Sequence, residues 1–351
     1  MAKRKVMVLL GGVSPEHEIS LRSAACILTQ IDHTKNEVIP VGITKDGVWY
    51  RLSKEAASML PSMQWVSAPG VQRCALSPSH GEGLITFTED GIQLDKIDVV
   101  FPILHGENGE DGSMQGLLQI AGIPYVGPHV AASAACMDKT MTKLTIDQTP
   151  IRQAKWYLVT RGDQEEAAMD GIEAAFQYPV FVKPAGTGSS VGVSKARNRE
   201  ELKKALREAL KYDRKVLAEE FIHGHEIEVA VLGNENPVAS VCGEIMSGAE
   251  FYDYEAKYIS DTSSTNIPAA LSPQKMQEVQ EAAVRVYQAM GCQGLSRVDF
   301  FVTYEGEQVV FNEINTLPGF TSISMYPKLF DASGIPCTEL IERLIEFALK
   351  A

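Results

Sequence analysis

Residues 309 to 320, VVFNEINTLPGF, run from an apolar stretch into Glu313 and Asn315 and then into a Thr-Leu-Pro-Gly break. Side chains two apart on a strand share a face, so these two oxygen-bearing groups point the same way. Upstream, LSRVDFFV at 295–302 is a second apolar strand, and the turn between the two centres on Gly306, which predicts a β-hairpin. A three-residue loop from Glu305 to Glu307 would set Asp299 directly opposite Glu313 and Arg297 opposite Asn315. A two-residue loop would send the two acids to opposite faces. Two carboxylates ~4 Å apart repel by about 4 kcal/mol at an effective dielectric of about 20. Either Arg297 alone neutralises the pair, or a hard divalent cation does. Carboxylate and amide oxygens without His or Cys suit Mg²⁺ or Mn²⁺ rather than zinc, and magnesium completes its shell with water and substrate phosphates.

Other residues point toward phosphate and amine chemistry. The stretch 184–194, PAGTGSSVGVS, offers small residues whose N–H groups can approach phosphate oxygens. It is neither a P-loop nor a full G-x-G-x-x-G, and alone it reads equally well as a hairpin tip. Lys183 sits in the apolar strand that enters it, and a lysine is rarely buried without an anionic partner. Glu16 lies in the first turn of the first predicted helix. There it either complements the helix dipole or stands over the carboxyl ends of the strands, where it could hold a substrate ammonium. His105, in HGENGEDG after the strand VVFPIL, either is a solvated loop histidine or faces the same crevice. YDYEAKY at 252–258 lies in a polar run from about 247 to 268 that reads as irregular, either a surface loop or a lid.

These groups need elements to hold them. KVMVLL, Gly11-Gly12 and SPEHEISLRSAACILTQI predict strand, turn and helix, with Ser14 as N-cap and Pro15 at the first helical position. EVIPVGIT and DVVFPILHG are near-continuous apolar strands, as in a sheet covered on both faces, and SMQGLLQIAG is another helix. The first ~125 residues read as an open α/β unit, with 52–97 as irregular connections. From YPVFVKP onward the pattern turns α+β, with helices REELKKALREALKY, SPQKMQEVQEAAVRVYQAMG and CTELIERLIEFAL among the strands.

The 351 residues are 45% apolar and carry a formal charge of −13, which argues against a nucleic-acid partner, since phosphate backbones are bound by basic stripes. The six cysteines are scattered without C-x-x-C pairs, which fits a reducing cytoplasm. The apolar start stops at Gly-Gly and meets Glu-His-Glu, so it reads as a buried strand rather than a signal peptide. No stretch approaches the ~20 apolar residues of a membrane span, and no membrane association is expected.

Taken together, Lys139 in MDKTMTK, Lys183, GTGSSVG, EEFIHGHE, Arg297, Asp299, Glu313 and Asn315 resemble the ATP-grasp ligases. GGVSPEHEISLRSA, HGENGEDGSMQG, YDYEAKY and NEINTLPGFTSISMYP narrow the likeness to the D-alanine–D-alanine ligase family. The resemblance implies an α/β and α+β, three-domain ATP-grasp architecture. It comprises an N-terminal open α/β (Rossmann-like) substrate-binding domain at 1–127, a central ATP-grasp subdomain at 128–217 and a C-terminal catalytic domain at 218–351. ATP would lie between the last two.

By position, Lys139, Lys183, Ser190 and Lys257 would serve ATP. Glu219, Glu220, Phe221 and Ile222 would form the hinge that reads adenine, and Glu226 would hold the ribose. Asp299, Glu313 and Asn315 would hold two Mg²⁺ or Mn²⁺ ions. Glu16, Ser189 and Tyr258 would orient the ammonium of the first D-alanine. Arg297 and the Gly319 N–H would form the oxyanion hole, with His105 near the reacting groups and Ser324 and Met325 receiving the acceptor carboxylate. Gly186 departs from the pattern, standing where many relatives carry a bulkier residue.

The implied reaction joins two D-alanine molecules through a D-alanyl phosphate, for peptidoglycan synthesis, with D-serine or D-lactate as alternative acceptors. Tyr258, and the lack of any His between 226 and 351, suit an amine acceptor. The family also implies a cytoplasmic homodimer.

Overall fold

The computed structural model describes residues 3–188, 190–246 and 264–351. KVMVLL lies in β1 (Arg4–Gly11), which pairs in parallel with β2 (Asn36–Ile43) and β7 (Val99–Ile103). Its alternate residues feed two cores. Val6, Val8 and Leu10 pack with Leu21, Ala24 and Ile27 of helix His17–Gln30, while Met7 and Leu9 pack with Leu118 and Ala121 of helix Ser113–Ala121. Burial on both faces explains why these strands read as unbroken apolar runs.

The stretch 52–97 corrects the sequence expectation. β3 (Trp49–Arg51), β4 (Gln72–Leu76), β5 (Leu84–Thr88) and β6 (Gly91–Asp95) extend the sheet antiparallel, giving the order β6-β5-β4-β3-β2-β1-β7. No long apolar run marks them: β4 and β5 bury only Cys74, Leu76, Leu84 and Thr86, and in β6 only Asp95 is buried. That carboxylate anchors the edge through Lys5 at 3.0 Å and Arg51 at 2.6 Å.

A four-stranded antiparallel sheet of order β10-β9-β11-β8 follows, built from β8 (Trp156–Thr160), β9 (Val180–Pro184), β10 (Ser194–Ala196) and β11 (Lys215–Glu220). It shares its own core, including Val159, Val182 and Val216, with Ile172 and Leu206 of helices Glu165–Ala175 and Arg199–Tyr212. The glycine-rich loop joins β9 to β10.

The third sheet has the order β14-β13-β12-β15-β16, from β12 (Gly224–Leu232), β13 (Val238–Met246), β14 (Ser264–Asn266), β15 (Leu295–Thr303) and β16 (Val309–Asn315). β14 corrects part of the expected irregular run at 247–268, while 247–263 lie outside the described residues. Helix Pro273–Ala289 backs this sheet, with Ser272 as the N-cap that accepts the Lys275 N–H at 3.2 Å. Helices Val130–Met137 and Lys139–Ile146, which the sequence reading passed over, put Ala132, Cys136 and Ile146 into the same core.

The predicted hairpin register holds at its functional end: Asp299 lies opposite Glu313 and Arg297 opposite Asn315. The route to it differs from the expected three-residue loop. Val302 pairs with Val309 and the Thr303 N–H bonds the Gln308 carbonyl at 3.0 Å, so the turn runs from Tyr304 to Glu307. A bulge between Asp299 and Phe300 then places Asn312 as the extra residue on β16, which returns the acids to one row.

Helix Cys337–Lys350 packs Leu340, Leu344 and Ile345 into the core of the first sheet, and Arg4 ion-pairs with Glu342. All six cysteines are free thiols. Among the described residues no helix is long and apolar enough to cross a membrane.

Candidate active site

The expected Ser14 cap and Pro15 helix start are corrected: regular helix begins at His17 with Glu16 as its N-cap, and the turn before it is organised by Ser14. Its Oγ accepts the Glu16 N–H at 3.2 Å and its carbonyl accepts the His17 N–H at 3.2 Å. The same hydroxyl donates to the His105 carbonyl at 2.7 Å, which draws Glu16 against the loop after β7. Gly106 has φ +69°, and a Cβ there would lie 2.6 Å from Glu16 Oε2, so this approach requires glycine.

The loop after β7 in turn grips the turn after β16. His105 Nδ1 meets the Leu317 carbonyl at 3.0 Å, so that nitrogen carries the proton, and Nε2 lies 3.4 Å from the Ser23 hydroxyl. Ser23 Oγ accepts the Phe320 N–H at 3.2 Å. Burial holds His105 below its ordinary range, against the pull of Glu16 and the Leu317 contact, so it is neutral near pH 7.

Glu110 closes the clamp. Its carboxylate accepts the Gly106 N–H at 2.7 Å and the Leu317 N–H at 3.1 Å. Burial and then Glu16 push its carboxyl up to about 8, against those two hydrogen bonds. The turn that carries Gly319 is thus held by three side chains from the first sheet's unit.

On the third sheet, Arg297 reaches Asp299 with both nitrogens of its fork, Nε to Oδ1 at 2.8 Å and Nη2 to Oδ2 at 2.7 Å. Glu228 Oε2 lies 3.0 Å from Arg297 Nε, and the Asn315 amide donates to Asp299 Oδ2 at 3.0 Å. Burial disfavours the arginine's charge, but Asp299 and Glu228 outweigh it and keep the guanidinium protonated.

On the second sheet, Glu219 is nearly buried between Lys143 at 3.2 Å and Lys183 at 2.8 Å. Burial alone would raise its carboxyl; the lysines instead hold it down at about 2. Burial also opposes the Lys183 charge, yet Glu219 raises its pKa above the ordinary value, whereas Lys139 is lowered by burial more than Glu313 can offset. Lys139 Nζ donates to the Thr187 carbonyl at 2.6 Å, tying the helix start to the glycine-rich loop. In that loop the Gly186 N–H is accepted by Asp213 at 2.7 Å.

These groups surround one cavity of about 760 Å³. Glu16 and His105 line it, as do Lys139, Lys183 and Ser190, the 219–222 segment, and Glu226. So do Arg297, Glu313 and Asn315, followed by Gly319, Ser324 and Met325. Asp299 is the exception, nearly buried behind the wall in Arg297's fork. The Glu219 side chain serves the lysines, and Glu220 accepts the Lys155 N–H at 2.9 Å. Ser324 Oγ accepts the Thr321 N–H at 3.0 Å. Ser189, Lys257 and Tyr258 lie outside the described residues.

The donor set fits a hard divalent cation. Two acids and an amide stand on neighbouring strands without His or Cys, and such ions draw their remaining oxygens from water and phosphate. Among the described residues no three His, Cys, Asp or Glu side chains form a ready-made metal site.

Three residues at the site were missed from sequence. Lys143 stands one helical turn after Lys139, and Glu228 two positions after Glu226, so helix and strand periods could have found both. Glu110 was visible only as one acid within HGENGEDG.

Two family models match the chain: "D-ala D-ala ligase N-terminus" over residues 5–128 and "D-ala D-ala ligase C-terminus" over 145–346. A D-alanine–D-alanine ligase of Acetivibrio thermocellus is 49% identical, with 99% of this chain and 96% of the relative covered. D-alanine–D-alanine ligase A of Escherichia coli is 45% identical, covering 100% and 97%. Among solved structures, the VanG D-Ala:D-Ser ligase of Enterococcus faecalis superposes with a TM-score of 0.91 at 38% identity, over 99% of this chain and 100% of that one. The D-alanine-D-alanine ligase of Coxiella burnetii gives 0.89 at 35% identity, over 100% and 95%.

Proposed function

The chain belongs to the D-alanine–D-alanine ligase family, and from that membership we infer that it joins two molecules of D-alanine into D-alanyl-D-alanine at the expense of ATP, for peptidoglycan precursor synthesis. The observation that carries the reading onto this chain's own residues is the single cavity onto which Glu16, the lysines beside the glycine-rich loop, Arg297 and the Gly319 turn all open.

A carboxylate is a poor acylating agent, so one carboxylate oxygen of the first D-alanine attacks the γ-phosphorus of ATP, giving D-alanyl phosphate and ADP. That step needs charge neutralisation more than covalent catalysis. Lys139 and Lys183 supply it beside the phosphate loop, with Ser190 in that loop. The 219–222 segment receives adenine, Glu226 the ribose, and Lys257 adds charge. Asp299, Glu313 and Asn315 would hold Mg²⁺ or Mn²⁺, which supplies charge stabilisation on phosphate oxygens.

Glu16 holds the ammonium of the first D-alanine, in a group with Ser189 and Tyr258. The amine of the second then attacks the acyl carbon, phosphate leaves, and the nitrogen loses a proton. The tetrahedral oxyanion is met by Arg297 and the Gly319 N–H, with neutral His105 alongside. Ser324 and Met325 receive the acceptor carboxylate.

Phosphate release with ATP and D-alanine alone tests the reaction: turnover is expected, and none would overturn it. Adding D-serine or D-lactate reads the acceptor, with D-alanine expected first and D-serine second. Glu313→Gln should abolish dipeptide formation with the fold intact. Full activity would refute the metal reading.

A further inference from the structure

Strand register puts three carboxylates in one row across the third sheet. Glu228 on β12 pairs with Asp299 on β15, which pairs with Glu313 on β16. Arg297 stands beside them as their shared counter-charge. Its Nε carries one hydrogen, yet two carboxylates compete for it, Asp299 Oδ1 at 2.8 Å and Glu228 Oε2 at 3.0 Å. The hydrogen points at Asp299.

A divalent cation that chelates Asp299 through both oxygens takes the edge of the carboxylate that Arg297's fork now occupies. The guanidinium would then lose both of its fork contacts while only 15% exposed, and a buried charge stripped of its partner is strongly unfavourable. Glu228 is already within reach of the same nitrogen from the neighbouring strand. Three carboxylates against one guanidinium also leave two negative charges in the row, which one divalent cation cancels.

We propose that Glu228 is a positioning residue that receives Arg297 when Asp299 turns to the metal, so that metal uptake and the arginine's orientation toward the oxyanion are one event. This rests on the reading of Asp299, Glu313 and Asn315 as cation ligands. It gives the row a division of labour in which Glu228 serves the arginine and the other two acids serve the ion. A fixed Arg297–Asp299 pair, by contrast, would oppose metal binding at every turnover.

The test measures Mn²⁺ affinity in the presence of ADP, by electron paramagnetic resonance, for the whole chain. Glu228→Gln keeps the shape but loses the charge that would hold Arg297, and Mn²⁺ should bind about tenfold more weakly. Removing a negative charge could weaken binding by simple electrostatics, so the same substitution is repeated in an Arg297→Met background. There Asp299 is already released, and Glu228→Gln should change affinity by less than about twofold. Equal weakening in both backgrounds, or none in the native one, overturns the proposal.

Should Glu228→Gln lose its cooperative thermal transition, Glu228→Asp is read the same way, with a smaller loss that also vanishes without Arg297. The parent chain and Asp299→Asn separate the two levels of inference. If Mn²⁺ uptake is absent, or indifferent to Asp299→Asn, the metal reading fails and this one with it. If uptake depends on Asp299 but not on Glu228, only this one fails.

Discussion

The Glu110 carboxylate accepts the Leu317 N–H at 3.1 Å, although 207 positions of chain separate the two residues. With His105 on the Leu317 carbonyl and Ser23 on the Phe320 N–H, it sets the turn that carries Gly319. Glu110→Ala should therefore disturb the oxyanion geometry without touching the nucleotide segment. Loss of one oxyanion donor costs about 10²–10³ in kcat in other enzymes, and a loosened turn should cost part of that, about 10–10²-fold. Steady-state kinetics should show kcat falling while the KM for ATP stays within about threefold. A KM for ATP that rises in step with the loss would place the clamp's effect at the nucleotide instead.

The same residue predicts a pH dependence of the ligand-free chain. Burial and Glu16 push the Glu110 carboxyl up to about 8, whereas an unfolded glutamate ionises near about 4.3. Between those values the folded chain keeps a proton that the unfolded chain has released. Its contribution is therefore fully present below about 4.3 and is lost as pH rises toward the folded value, levelling off above it. His105, held neutral by burial, acts in the opposite sense below about 6.5. The Cys26 thiol, lowered to about 7 by its contact with Cys337, acts in the opposite sense above that in both proteins, so the difference between parent and Glu110→Gln reports Glu110. Between about pH 6.5 and about pH 8.5 the stability from urea titrations should fall more, or rise less, in the parent than in Glu110→Gln, with a difference of at most about 1.4 kcal/mol per pH unit. Parallel curves for the two proteins would refute the assignment.

The contrast between Glu313 and Glu110 shows what was legible in the sequence. Glu313, Asn315 and Asp299 follow from a period of two and a hairpin, and the register of the acids was correct. Yet it was correct through compensation: the turn is one residue longer than expected, and the bulge at Asn312 restores the row. The hairpin's geometry was thus only half read. The period-two rule could also have led from Glu226, supplied by the resemblance, to Glu228, but with no known partner strand for β12 nothing told which face met Arg297. Glu110 was not legible by any local rule, since its partner lies in a turn from the far end of the chain. The strands within 52–97 escaped because β4 and β5 are five residues each, with only two buried positions apiece, one of them the polar Thr86, while the exposure of β6 leaves no hydrophobic alternation to detect.

Glu219 supports the last prediction. It is 4% exposed and is shared by Lys143 and Lys183, which hold its carboxyl down at about 2. Glu219→Gln leaves two buried ammonium groups around a neutral amide, and breaking a buried pair by removing one partner costs about 3–5 kcal/mol. The melting temperature should drop by several degrees near neutral pH. The sign across pH follows from the depressed folded value: the carboxylate's contribution is present above about 4.3 and is lost as pH falls toward about 2, so the variant's deficit should shrink in acid. ADP should recover part of the deficit, because its phosphates offer the lysines a replacement anion, and the rise in melting temperature on adding ADP should exceed that of the parent. An unchanged melting temperature would mean that the ion pairs contribute nothing net. An equal ADP shift in both proteins would mean that Lys183 does not face the phosphates.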